Sequence, residues 1–142
     1  MAIPTTIESL STTAASNGPA GSEQRTLADD GLRQAYAFIR QVVSLGSNIA
    51  SATTITPPST ASVFNITGTT TINAVITTNW DAGACVRLIF ADSVTVKNNT
   101  AGGASTATML LAGGADFSAT ANDALTLCYN GTNWIETARS VN

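Results

Sequence analysis

Asp123-Ala-Leu-Thr-Leu-Cys-Tyr-Asn-Gly-Thr-Asn-Trp-Ile-Glu-Thr-Ala-Arg-Ser-Val-Asn142 is the stretch whose reading decides the fold. Leu125, Leu127 and Tyr129 alternate with Thr126 and Cys128, the period-2 pattern of a half-buried strand. Asn130-Gly131 then supplies two residues that readily take the positive φ of a hairpin turn. Trp134 and Ile135 open the return strand. A chain that reaches this point on a strand needs pairing partners upstream, so the preceding region is expected to supply them.

That region carries short apolar runs separated by turn signals. Val63, Phe64 and Ile66 form one run before Gly68, and Ile72, Val75 and Ile76 a second. Trp80-Asp81-Ala82-Gly83 reads as a turn, and residues 84–90 as the most apolar and most buried strand. Val94 and Val96 alternate with Thr95 and Lys97, and residues 106–111 form a further strand before Gly113-Gly114. Pro57-Pro58 ends any central strand before them. Turns every 8–12 residues argue a sandwich, a barrel or stacked β layers. The expected fold is mainly β: an extended arm (residues 1–25), an amphipathic helix (26–46), a linker (47–61) and a small antiparallel β domain (62–142).

The helix has the stripe Leu32, Ala35, Tyr36, Ile39, Val42 and Val43, at helical spacing. Thr26 is placed as its N-cap, Asp29 and Asp30 in its first turn, and Gly46 at its stop. The stripe can cover the chain's own β domain, or it can meet copies of the same helix or a host assembly; the polar, small-residue connection after it favours the second. Leu32, Tyr36, Ile39 and Val43 are the candidate oligomer contacts. In the arm, Ile3, Ile7 and Leu10 are the sizeable apolar side chains in a Thr-, Ser-, Ala- and Gly-rich segment. Such spaced anchors suit docking into another protein's groove as well as disorder.

Only 11% of residues are charged, against ~25% in an ordinary soluble domain. A neutral, hydroxyl-rich surface has little charge to keep copies apart. A β unit of about ninety residues whose apolar positions are largely Ala, Val and Thr is marginal alone, so association through a twofold or threefold is expected. The net charge of −3, with six scattered basic residues, gives no electrostatic footprint for nucleic acid. No run of about 18 apolar residues is present, so no membrane insertion is expected, and no basic-then-apolar leader marks a secretory signal.

The chain has no histidine, which removes the commonest general base and metal ligand. No calcium loop or phosphate-binding loop appears, so neither an enzyme nor a cofactor is expected. Cys85 and Cys128 are read as buried free thiols acting as small hydrophobes, with a disulfide open to them only if their strands are neighbours. Trp80 and Trp134 are candidates for a sugar-stacking platform or, more plainly, for covers on the ends of a β layer.

Three segments resemble a known class. Residues 3–12 with Ile3, Pro4, Ile7 and Leu10, then Asn17-Gly18-Pro19-Ala20-Gly21-Ser22-Glu23, then Leu27-Ala28-Asp29-Asp30-Gly31-Leu32-Arg33, look like the leading segment of tailed-bacteriophage fibre and spike proteins. Tyr129-Asn130-Gly131-Thr132-Asn133-Trp134-Ile135-Glu136-Thr137-Ala138-Arg139-Ser140 is similar to a recurrent close of phage fibre and decoration domains. The resemblance implies an intertwined homotrimer (a dimer being the alternative), assembled in the host cytoplasm. Ile3, Pro4, Ile7 and Leu10 would attach it to the virion, at the portal or tail, the collar or the major capsid protein, and a host surface glycan is a further partner of such proteins. The β unit is small beside the shafts of most such fibres, which sets a capsid decoration role beside the fibre reading. A carbohydrate-binding module using Trp80 and Trp134 is the third alternative.

Overall fold

In the computed structural model, which describes residues 25–78 and 80–142, α1 (Arg25–Gln41) precedes ten strands. These are β1 (Ile49–Ala50), β2 (Thr54–Ile55), β3 (Val63–Thr67), β4 (Ala74–Ile76), β5 (Cys85–Phe90), β6 (Val94–Val96), β7 (Thr106–Leu110), β8 (Phe117–Ala119), β9 (Ala124–Tyr129) and β10 (Trp134–Ser140). Eight of them form one sheet in the order β1-β3-β5-β9-β10-β7-β4-β2. The arm anchors Ile3, Pro4, Ile7 and Leu10 lie outside the described residues.

The expected antiparallel domain is in fact mixed. β1/β3, β3/β5, β2/β4 and β7/β10 pair in parallel, while β5/β9, β9/β10 and β4/β7 are antiparallel. The reason is the path of the chain. From β1 to β5 it alternates between the two halves of the sheet, so each return to a side brings a strand running the same way as the last. Only the 124–140 hairpin joins consecutive strands within this sheet. Its turn is four residues, 130–133: Gly131 takes φ 93°, and the Asn130 side chain accepts the N–H groups of Thr132 and Asn133 at 2.9 and 2.7 Å.

The two sheet edges, β1 and β2, lie in the segment expected to be a linker and are joined by residues 51–53. Ser51 N–H donates to Thr67 on one side of that joint, and Thr53 accepts Asn73 N–H on the other. One short piece of backbone thereby binds both edges, and the sheet is a nearly closed barrel with little open edge to pair elsewhere.

Alternation fills the barrel. Phe64 and Ile66 of β3, Val86, Leu88 and Phe90 of β5, Met109 of β7, Leu125 and Leu127 of β9 and Trp134 of β10 all point inward and are buried. An eight-stranded barrel is just wide enough for side chains to fill. The β6/β8 ribbon covers one end, burying Val94, Val96, Phe117 and Ala119, with Phe117 edge-on to Phe90 at 5.9 Å. The C-terminal end is tied down by buried Asp123, which accepts from Asn142 N–H at 2.8 Å and from the N–H and hydroxyl of Thr120. These bonds, that from Asn142 first, hold its carboxyl below the ordinary aspartate value despite burial.

Candidate self-association surface

Thr26 lies inside α1 as described, Arg25–Gln41, and is not its cap, and no acidic residue falls in the first turn of that span. Asp29 instead pairs with Arg33 one turn on, at 2.8 Å. The regular helix stops at Gln41, short of the expected end. Val43 N–H and Ser44 N–H bond three residues back, to Arg40 and Gln41, a tightened last turn, and Ser44 Oγ caps the Arg40 carbonyl at 2.6 Å. The Ser62 hydroxyl donates to the Val42 carbonyl, Val63 N–H to Ser44, and Gly46 N–H to Val63. The exit of the helix is therefore stitched onto β3 over residues 42–46.

Gly46 is required by that stitch. A Cβ there would stand 2.4 Å from the ring of Phe64, which is fully buried.

The helix has two distinct sides. Gly31, Gln34, Phe38 and Gln41 are its less exposed positions, spaced three and four apart, and Phe38 is only 4% exposed. Leu32, Tyr36, Ile39, Val42 and Val43 are 51–68% exposed, and Leu45 just beyond them is 61% exposed. The stripe read from the sequence is thus exposed, and the buried position of the helix is Phe38, which that stripe omitted. Apart from Val141, these six are the exposed large hydrophobics among the described residues.

Beside the C-terminal end of α1 lies an open groove of about 540 Å³. Gln41, Val42 and Val43 form one wall, Ala61 and Val63 border it, and Ala84, Val86, Arg87 and Thr126 of the barrel form the other. Gln41 Oε1 is buried in this single chain with no hydrogen-bond donor.

Cys85 and Cys128 stand directly opposite each other on β5 and β9, with Cα atoms 4.0 Å apart, and are joined in a disulfide. They are not buried thiols: Cys85 is exposed and Cys128 half-buried, because both sit at outward positions of strands whose inward positions hold Val86 and Leu127. Trp80 and Trp134 do come together, edge to face at 5.9 Å, but inside the core. Trp80 Nε1 donates to Pro57 O at 3.1 Å; Trp134 is fully buried, and Trp80, 8% exposed, reaches the surface at the groove beside α1. Among the described residues no group of three or more His, Cys, Asp or Glu side chains could hold a metal ion, and no helix is long and apolar enough to cross a membrane. Comparison with known protein families, with curated proteins and with solved structures finds no significant match to this chain.

Proposed function

We propose that this chain is a bacteriophage virion structural protein, a short fibre- or spike-like appendage whose copies associate through α1 and whose N-terminal arm fixes it to the particle. The observation that carries the reading is the uncovered apolar side of the helix above a barrel whose core is already complete. A 17-residue helix with Gly31 inside it is marginal in water unless tertiary or quaternary packing covers it. Phe38 is covered within the chain, while Leu32, Tyr36, Ile39 and, just past the helix end, Val43 are left in solvent. Their spacing of three and four residues is that of a helix–helix seam, and copies of the same helix provide a matching one. A threefold closes this seam with each copy in the same environment.

The virion assignment is supported by the resemblance of residues 3–12, 17–23, 27–33 and 129–140 to phage fibre and decoration segments. The protein would act by shape and buried area, without turnover. Two experiments test this. Deleting residues 1–22 leaves the barrel folded and abolishes incorporation into phage particles; unchanged incorporation rules out the anchoring role. Imaging particles with the labelled protein places it at the tail or collar for an appendage, and over capsomer junctions for a decoration protein.

A further inference from the structure

We infer that the Cys85–Cys128 bridge is a thiol-exchange site on the folded barrel: a lock that small thiols open, and small-molecule disulfides close again, without unfolding. It needs no second copy of the chain. Both cysteines hold outward positions, Cys85 exposed and Cys128 half-buried, so a reagent reaches the bond from solvent without disturbing buried Val86 or Leu127. Exposed bridges are the labile, regulatory ones, whereas structural bridges resist reduction. The strand pairing also continues past the bridge on both sides. Val86 pairs with Leu127 on one side; on the other, Tyr129 N–H donates to Ala84 O at 2.8 Å and Gly83 N–H to Tyr129 O at 2.7 Å. Opening the bond therefore leaves the two cysteines in register, ready to close again.

The two sulfurs are not equivalent. Cys85 is the more exposed, and Thr137 Oγ1 lies 3.7 Å from Cys128 Sγ. Neither bridged sulfur carries a hydrogen, so the hydroxyl is the donor there, and it stabilises charge that builds on Cys128. Attack falls on Cys85 Sγ with Cys128 leaving. With a monothiol such as glutathione, the attacking thiolate bonds to Cys85 Sγ as the Sγ–Sγ bond breaks. The electron pair goes to Cys128 Sγ, which takes a proton from solvent. A second thiolate attacks the outer sulfur of the mixed disulfide and releases Cys85 as a thiolate. Two glutathione thiols are oxidised to one disulfide, and one protein bridge is reduced to two thiols. The reverse steps, with oxidised glutathione, close it. Exposed Arg87, the next outward residue of β5, adds a cation on the side from which thiolates approach.

The test uses the full chain, purified without reductant, and glutathione at fixed pH, with alkylation and mass measurement at timed intervals. Opening is expected to be proportional to glutathione concentration, and less than about a hundredfold slower in native buffer than in denaturant. Opening gated by global unfolding would be slower by the unfolding equilibrium constant, about 10³ or more. A larger gap than a hundredfold, or a rate that plateaus with glutathione, overturns the proposal. The far-UV spectrum of the reduced chain is expected to match that of the oxidised one, and oxidised glutathione to restore the bridge; loss of the barrel signal on reduction, or no reclosure, also overturns it. Cys128→Ser leaves Cys85 as a single thiol and Cys85→Ser leaves Cys128. Oxidised glutathione is expected to modify Cys85 several-fold faster than Cys128; equal or reversed rates overturn the direction of attack.

Discussion

Removing the Cys85–Cys128 link opens a loop closed across 43 residues of sequence. The two strands it joins are already paired, so the folded barrel changes little; the effect falls on the unfolded chain, which gains the freedom of the opened loop. The chain-entropy relation for a loop of 43 residues gives about 4 kcal/mol at 25 °C. At roughly 4 °C per kcal/mol for a domain near this size, that is a fall in Tm of about 15 °C. Serine fits both sites, because Cys85 is exposed and Cys128 half-buried, and neither fills the core. The assay is a pair of thermal melts, with and without a thiol reductant, together with a melt of the Cys85→Ser, Cys128→Ser variant. Thiol titration of the protein purified without reductant is expected to find none in denaturant, and two after reduction. Oxidised and reduced melts that superimpose, or two titratable thiols before reduction, would refute the reasoning.

Gly46→Ala forces the buried ring of Phe64 to move and is expected to destabilise by about 1–3 kcal/mol, read from the denaturant midpoint at constant m. Asp123 has its carboxyl held below the ordinary value of 3.8, so its stabilising effect is fully present above that pH and is lost as pH falls through the lower folded value. Melts from pH 6 to pH 2 are expected to show this loss in the wild type and a flatter profile in Asp123→Asn. Trp134, fully buried against Trp80 and Tyr129, is expected to cost about 3–5 kcal/mol on replacement by Ala. Because Trp134 is fully enclosed and Trp80 only 8% exposed, neutral oligosaccharides are expected to leave the intrinsic fluorescence unchanged; a saturable change would restore the sugar platform.

The terminal hairpin was legible because three cues agreed on one short stretch: Leu125 and Leu127 two apart, Asn130-Gly131 at the turn, and Trp134 opening the return. The parallel pairing of β3 with β5 was not, since it comes from the chain crossing the barrel between them, and nothing local in residues 63–67 or 85–90 records that path. β1 and β2 escaped for a different reason. Strands of two residues have no period, yet they seal the barrel. The disulfide was half legible. Alternation puts Cys128 on the side opposite Leu125 and Leu127, but only the register of β5 on β9 sets Cys85 across from it. On the helix, the spacing marked an apolar stripe without saying what covers it. The buried position is Phe38, next to Ile39 in sequence, and the stripe is left outside. The groove had no sequence signal, since its walls come from α1, β3, β5 and β9 and meet only in the fold.

The central claim is that the solvent-facing stripe of α1 exists to meet other copies of the chain. Sedimentation equilibrium of the intact 142-residue protein tests it most directly. The expected mass is about three times the 14.5 kDa of one chain, falling to a single chain in Ile39→Glu while the barrel's melt is retained. A folded wild-type protein that holds at 14.5 kDa up to high concentration would contradict the account.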